Sequence, residues 1–335
     1  MAEICSVLCM SHSPFLYATA EDWTSVRASR PARLYRSDFA PDTPQANAAK
    51  HARVTAAFAE LRRSLRAARP DVLLIFGDDQ REQFDFGNFP ALSIFAGERF
   101  EGYRISPRAG IPPDSPPNPK DAANWATASG HPELARTLLT ELVGRGFDIG
   151  FSLNLPKPER GIGHAFMRPA HYLTPDFDLP IVPFFINCFY GPQPTGARCH
   201  ALGRAVREII DAVPGALRIA VLGSGGLWHT PGLADSYIDG AFDRGILDAV
   251  EAGSAAAMAH HFDDSARRFI FENADAAREM SGGTAMVLGL GSGSGETRNW
   301  IAASATVDGM PGRIVDYIPI NASPIGAAFA CWDLG

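Results

Sequence analysis

"DVLLIFGDDQ", residues 71–80, decides the fold. The apolar run "VLLIF", closed by a glycine and two aspartates, reads as a fully buried strand whose C-terminal end opens on a polar site. Just upstream, between Gln45 and Arg69, the apolar positions Val54, Phe58, Leu61 and Leu65 step by four, three and four residues, one face of a helix. His51, three residues before Val54, lies on that same face.

Working outward, similar short runs recur between helical patterns: "ICSVLCM", "ALSIFA", "FDIGFSL", "LPIVPFFIN" and "LRIAVLG". Strands alternating with helices give an α/β fold, a central mixed sheet flanked by helices. The C-terminal part from about Arg313 ("RIVDYIPI", "GAAFACW") is expected to add strands at the sheet edge. Further helices are expected at Pro132 to Arg145, Ala197 to Ala212, Gly240 to Ala252 and Glu296 to Thr306. Two stretches read as inserted loops, at about 18–42 and 102–130, the second with the proline-rich core "IPPDSPPNPKD". With no internal repeat and no clean linker, residues 1–335 read as one domain.

With 46% hydrophobic residues in 335, the chain can bury a substantial core. A formal charge of -7, a pI near 5.7 and no basic block argue against nucleic acid or an anionic membrane surface as partner, leaving a small molecule. No apolar run reaches the roughly 20 residues that span a bilayer, and "MAEICSVLCM" lacks the features of an export signal. Five cysteines without CxxC spacing indicate neither a disulfide framework nor a zinc knuckle, and the cytoplasm is the expected compartment.

Four polar segments follow expected strands, where open α/β sheets place ligands: "SHSPF" at 11–15, "GDDQ" at 77–80, "GIGHAF" at 161–166 and "GSGGLWH" at 223–229. His12 follows the first strand, and Ser-Pro after it fixes a sharp exit. His229 projects from a glycine-rich rim that lets backbone approach a ligand closely. Neither GxxxxGK[ST] nor GxGxxG spacing is present, which counts against a nucleotide-binding oxidoreductase, and no GxSxG elbow marks a serine hydrolase. "GLGSGSG" at 289–295 reads as a loop capping the helix that begins at Glu296, with Ser294 as N-cap. Glu296 and Trp300 are i and i+4 neighbours on one helix face. His131 reads as a capping residue, and His171, His200, His260 and His261 as surface or packing histidines.

Taken together, "CMSHSPF", "GIGHAFMRP", "PIVPFFIN", "RCHALGRAV", "VLGSGGLWH" and "GSGETRNW" resemble, in order, the class III (LigB-type) extradiol ring-cleavage dioxygenases, with a fold like the protocatechuate 4,5-dioxygenase β subunit. The single-chain 3-O-methylgallate dioxygenases look most similar in the Asp-Gln pair and the "RNW" helix. The resemblance implies a non-haem Fe(II) cofactor held by two histidines and a glutamate, a catecholic or gallate-type aromatic acid as substrate, and ring opening by O2. Carried over by motif, His12 and Glu296 are metal ligands, His229 is the catalytic acid/base, and His164 hydrogen-bonds the substrate. The second metal histidine falls at Gln80, where this chain departs from the pattern.

Three readings of that departure stand. His51 supplies the second imidazole, Gln80 ligates through its amide oxygen, or the metal site is weakened or lost. A shift of one residue would instead place Asp79 there. Asp79 and Gln80 are also candidates to hydrogen-bond a ligand or substrate, and Arg168 or Arg298 to pair a substrate carboxylate. The inserted loops are expected to cover the site in cis, and a homo-oligomer, a dimer, is expected from the family. The rival functions are a metal-dependent hydrolase or lyase on an aromatic acid, and a non-catalytic dioxygenase subunit.

Overall fold

The computed structural model describes residues 1–29, 35–105, 124–229, 236–272 and 293–335, with the side chains of all of these except 266–272. Its strands are β1 (Glu3–Met10), β2 (Val72–Gly77), β3 (Leu92–Phe95), β4 (Arg99–Tyr103), β5 (Trp125–Ser129), β6 (Gly150–Ser152), β7 (Ile181–Ile186), β8 (Arg218–Ser224), β9 (Arg313–Ile320) and β10 (Ile325–Asp333). Eight of them form one sheet in the order β6-β3-β7-β2-β8-β1-β10-β9, and β4 pairs with β5 as a separate hairpin. Strands β7, β2, β8 and β1 run parallel, whereas β10 and β9 are antiparallel additions at the β1 edge. The sheet is therefore mixed, as expected, and the C-terminal segment lies where the sequence placed it.

The helices are α1 (Ala20–Ser29), α2 (Pro44–Ala68), α3 (Pro132–Gly144), α4 (His164–Leu173), α5 (Gly196–Ala212), α6 (Gly240–Glu251), α7 (Ala255–Glu272) and α8 (Thr297–Ala305). In the central strands successive side chains serve opposite faces. Val72, Leu74 and Phe76 enter one core with residues of α3, α5, α6, α7 and α8; Leu73 and Ile75 enter the other with residues of α1, α2, α4 and the hairpin. Burial on both faces explains why "VLLIF" is continuously apolar. Helix α2 starts at Thr43, whose side chain accepts a hydrogen bond from the Ala46 amide, a cap worth about 1 kcal/mol.

Both expected loops contain regular structure. The 18–42 stretch holds α1, anchored by fully buried Trp23, whose indole donates to the Phe15 carbonyl. The ends of the 102–130 stretch belong to β4 and β5, while its proline-rich core lies outside the described residues. Among the described residues no helix is long and apolar enough to cross a membrane.

Candidate metal centre

Parity along two strands aims His12 and Ser224 before they interact. Strands β1 and β8 are parallel, with Leu8 beside Leu222 and Met10 beside Ser224. His12, two residues after Met10, continues that face beyond the strand end. Asp78 follows directly after β2 on the parity of Leu74 and Phe76, which serve the opposite core, so it meets the cluster from the strand end. The C-terminal ends of three neighbouring strands thus meet, the position at which open parallel sheets bind ligands.

His12 is buried, and its Nδ1 lies 2.9 Å from Ser224 Oγ. The serine's own proton goes to the Ala165 carbonyl at 2.6 Å, so Ser224 accepts from His12 Nδ1–H and the Nε2 lone pair faces the site. His12 Nε2 stands 3.4 Å from Glu296 Oε2 and 3.8 Å from Asp78 Oδ1. His12 Nε2 and Asp78 Oδ1 are buried without a hydrogen-bond partner. Acceptors here face acceptors, and such a cluster is satisfied by a cation.

The electrostatics point the same way. Burial, opposed only in part by Glu296, lowers the His12 pKa to about 4, so the imidazole is neutral and competent to ligate. Burial, then the Glu296 and Glu82 carboxylates, push the Asp78 carboxyl well above the usual range. Burial alone would also raise Glu296, but the His12 and His229 imidazoles outweigh it and hold that carboxyl well below. A divalent ion relieves the carboxylate repulsion directly. His12, Asp78 and His164 each offer a ligand atom, all within 4.8 Å of one another.

Glu296 closes a short 3-10 turn, Gly293–Glu296, ahead of α8. Its Oε2 accepts from the Gly226 amide at 2.9 Å. Gly225 has φ of 121°, and a Cβ there would come within 2.7 Å of the Glu296 side chain, so glycine alone lets "GSGG" wrap the carboxylate. Trp300 is fully buried one turn later and donates to the Gly225 carbonyl at 2.8 Å, tying loop to helix. Ser294 does not cap α8 as expected; its Oγ accepts from the His229 amide at 3.1 Å.

His229 Nδ1 bonds the Leu227 carbonyl at 2.9 Å, which leaves Nε2 facing the site 3.5 Å from Glu296 Oε1. Burial lowers its pKa, but the Glu296 carboxylate reverses that and the net shift is upward. Behind it, buried Asp243 accepts from the Trp228 amide and from the Tyr317 hydroxyl, both at 2.7 Å.

Several expected site residues are placed differently. His51 does not join the cluster: its ring packs edge-on to Trp23 with centroids 5.5 Å apart, because its face of α2 meets α1. Gln80 does join it, as a donor, with Nε2 3.1 Å from Glu296 Oε1 and 3.3 Å from Asp78 Oδ2. Asp79 turns away and accepts from the Gln83 and Phe84 amides, capping the turn after β2. Burial, then Glu82, pushes its pKa up to about 7. Arg298 is committed to the Pro194, Cys188 and Gly295 carbonyls rather than to a substrate, and Arg168 is buried with Nη1 on the His12 carbonyl. His131 accepts from the Leu134 amide at the start of α3, as expected.

Asp78, Glu82 and Ser224 were not singled out from sequence. Strand parity would have found one of them: Ser224 shares the parity of Ala220 and Leu222, the face that His12 continues, whereas Asp78 follows the opposite parity of Leu74 and Phe76. Glu82 lies in a turn with no periodicity to read.

The model of a family described as the catalytic LigB subunit of aromatic ring-opening dioxygenase matches residues 6–316, which take in every residue of the cluster. A 2,3-dihydroxyphenylpropionate/2,3-dihydroxicinnamic acid 1,2-dioxygenase of Klebsiella pneumoniae is 26% identical over 179 residues, 53% of this chain and 49% of that one. A gallate dioxygenase of Pseudomonas putida is 31% identical over 115 residues, 33% of this chain and 32% of that one. A 2,3-dihydroxyphenylpropionate/2,3-dihydroxicinnamic acid 1,2-dioxygenase of Photorhabdus laumondii is 26% identical over 289 residues, 77% of this chain and 81% of that one. The chain spans about half the length of the first of these relatives and a third of the second.

Proposed function

The chain belongs to the family of catalytic LigB subunits of aromatic ring-opening dioxygenases, and from that premise we propose that it opens the ring of a catecholic or gallate-type aromatic acid using O2 and a non-haem Fe(II) centre. The observation that carries the proposal is the pair of buried acceptors without a hydrogen-bond partner, His12 Nε2 and Asp78 Oδ1, 3.8 Å apart and beside the Glu296 carboxylate. His12, Asp78 and Glu296 would hold the ion. Bound there, iron supplies a redox-active Lewis acid that brings an aromatic diol and O2 together.

The protein's own groups do the rest. Ser224 fixes the His12 tautomer, so the imidazole presents its lone pair before any ligand arrives. Gln80 donates to Glu296 and Asp78, holding both carboxylates in place without adding charge. His229, with Nδ1–H committed to the Leu227 carbonyl, offers Nε2 as the group that takes a proton from a diol hydroxyl and later returns it. Burial of His12, Glu296 and His229 keeps bulk water from competing for the same positions.

The test is O2 uptake by anaerobically purified, Fe(II)-loaded protein across catecholic and gallate-type acids. Uptake stoichiometric with loss of the aromatic absorbance is expected. Product formation without O2, from any member, would favour a hydrolase or lyase instead.

A further inference from the structure

We infer that His164, oriented by Glu82, supplies the second imidazole of the metal centre in this chain, in place of the family histidine that Gln80 replaces. The inference rests on the metal-centre reading above and concerns which atoms bind the ion. Gln80 is engaged otherwise: its amide nitrogen faces two carboxylates and stands 3.5 Å from His164 Nε2, a long contact that an ion would displace, whereas turning the amide oxygen toward an ion would forfeit both carboxylate hydrogen bonds. His51 lies against Trp23. His164 is the other imidazole beside His12, with the two rings edge to face and their centroids 4.7 Å apart.

Glu82 makes that imidazole a ligand. One carboxylate oxygen, Oε1, accepts from His164 Nδ1 at 2.7 Å and from the His164 backbone amide at 2.9 Å. Helix α4 begins at His164, and its N-cap, Gly163, has no side chain to satisfy the free amides; Glu82 does so from outside the helix. A Cβ on Gly163 would come within 2.4 Å of Glu82 Oε2, so the glycine makes room for the carboxylate. Because Glu82 Oε1 already accepts from a backbone N–H, it faces His164 as an acceptor, and Nδ1 carries the proton between them.

A neutral His164 consequently has its lone pair on Nε2 and cannot donate a hydrogen bond from that atom to a substrate oxygen. A carboxylate on the far nitrogen is the usual outer partner of a metal-bound histidine, fixing tautomer and ring orientation. The distances suit a shared ion. His164, His12 and Asp78 each bring one ligand atom within 4.8 Å of the other two, close to the roughly 4.2 Å that separates two ligands opposite each other at about 2.1 Å from a metal. The centre then has two imidazoles with Asp78 and Glu296, and His229 is left as the histidine that handles substrate protons.

The experiment counts coordinated imidazole nitrogens by pulsed EPR of the Fe(II) protein with nitric oxide bound, and measures the Fe(II) Kd anaerobically, so neither readout needs turnover. The expected results are two nitrogens in the unaltered protein and in His51→Ala, and one in His164→Gln. Glu82→Gln, nearly the same size, should keep two nitrogens at saturating iron with a Kd raised about 10–100-fold. An unchanged count and Kd in His164→Gln, or loss of a nitrogen in His51→Ala, would overturn the inference. Two nitrogens that fall to one in His164→Gln, in a protein that opens no ring, would sustain this inference while refuting the proposed function.

Discussion

Replacing Ser224 by alanine isolates the claim that the site is organised as a metal centre before metal arrives. The hydroxyl accepts from His12 Nδ1 at 2.9 Å and donates to the Ala165 carbonyl at 2.6 Å, and both His12 and Ser224 are buried. Ser224→Ala leaves a donor and an acceptor without partners at the cost of a single oxygen atom. An unsatisfied buried group costs about 1–3 kcal/mol. For a chain of 335 residues that corresponds, for each of the two groups, to a fall in melting temperature of roughly 1.5–4 °C in the metal-free protein.

The freed imidazole can then carry its proton on Nε2, where Glu296 Oε2, 3.4 Å away, would accept it. That proton blocks the lone pair that binds metal. Loss of such a supporting partner costs about 10–100-fold in metal affinity, equivalent to about 1.4–2.7 kcal/mol. Anaerobic calorimetry with Fe(II) and a thermal melt of the apoprotein read the two effects separately. A variant that melts lower but binds Fe(II) within twofold of the parent would refute the tautomer argument, and one unchanged in both would refute the hydrogen bonds themselves.

His229→Asn should retain Fe(II) and fold but lose about 100- to 10,000-fold in turnover, checked by metal content beside steady-state kinetics; wild-type rates would remove His229 from the chemistry. Trp300→Ala should cost about 3–5 kcal/mol in a denaturant titration, since it empties a fully buried site and strips the Gly225 carbonyl of its donor. Asp243 gives a pH signature. Burial, opposed in part by the Tyr317 hydrogen bond, raises its carboxyl to about 7, so the folded chain binds a proton that the unfolded chain releases near pH 4. Its contribution to stability is therefore fully present below pH 4 and is lost as pH rises toward 7. Asp243→Asn should gain stability relative to the parent across that window, and melts in which the two curves stay parallel from pH 4 to pH 8 would contradict this.

The strand runs were legible because central parallel strands, buried on both faces, must be continuously apolar, and all six that the sequence marked lie in the sheet. Helix α2 was legible through its four-three-four stepping. Helix α4 was not: Gly163 precedes it and Pro169 lies inside it, and its first-turn amide is satisfied by Glu82, far off in sequence. The β4–β5 hairpin was hidden for a related reason. Its strands are short, and β4 packs on α4, a tertiary contact that no local pattern announces. In the candidate site, His12, Gln80, His164, His229 and Glu296 were found by their positions after strands and in motifs. His51 misled because an inward helix face specifies burial, not what the face is buried against; here that is Trp23. Asp78 was overlooked beside Asp79 because alternation along β2 favours Asp79 for the His12 face, whereas beyond the strand end Asp79 caps the turn and Asp78 meets the cluster.

The most direct test of the central claim is a single turnover of the Fe(II)-loaded protein with a catecholic or gallate-type acid that it binds, under 18O2, with the product weighed by mass spectrometry. Both labelled oxygen atoms in one ring-opened product, and none formed after Glu296→Gln, is the predicted result. A product carrying no label, or one formed equally without iron, would contradict the account.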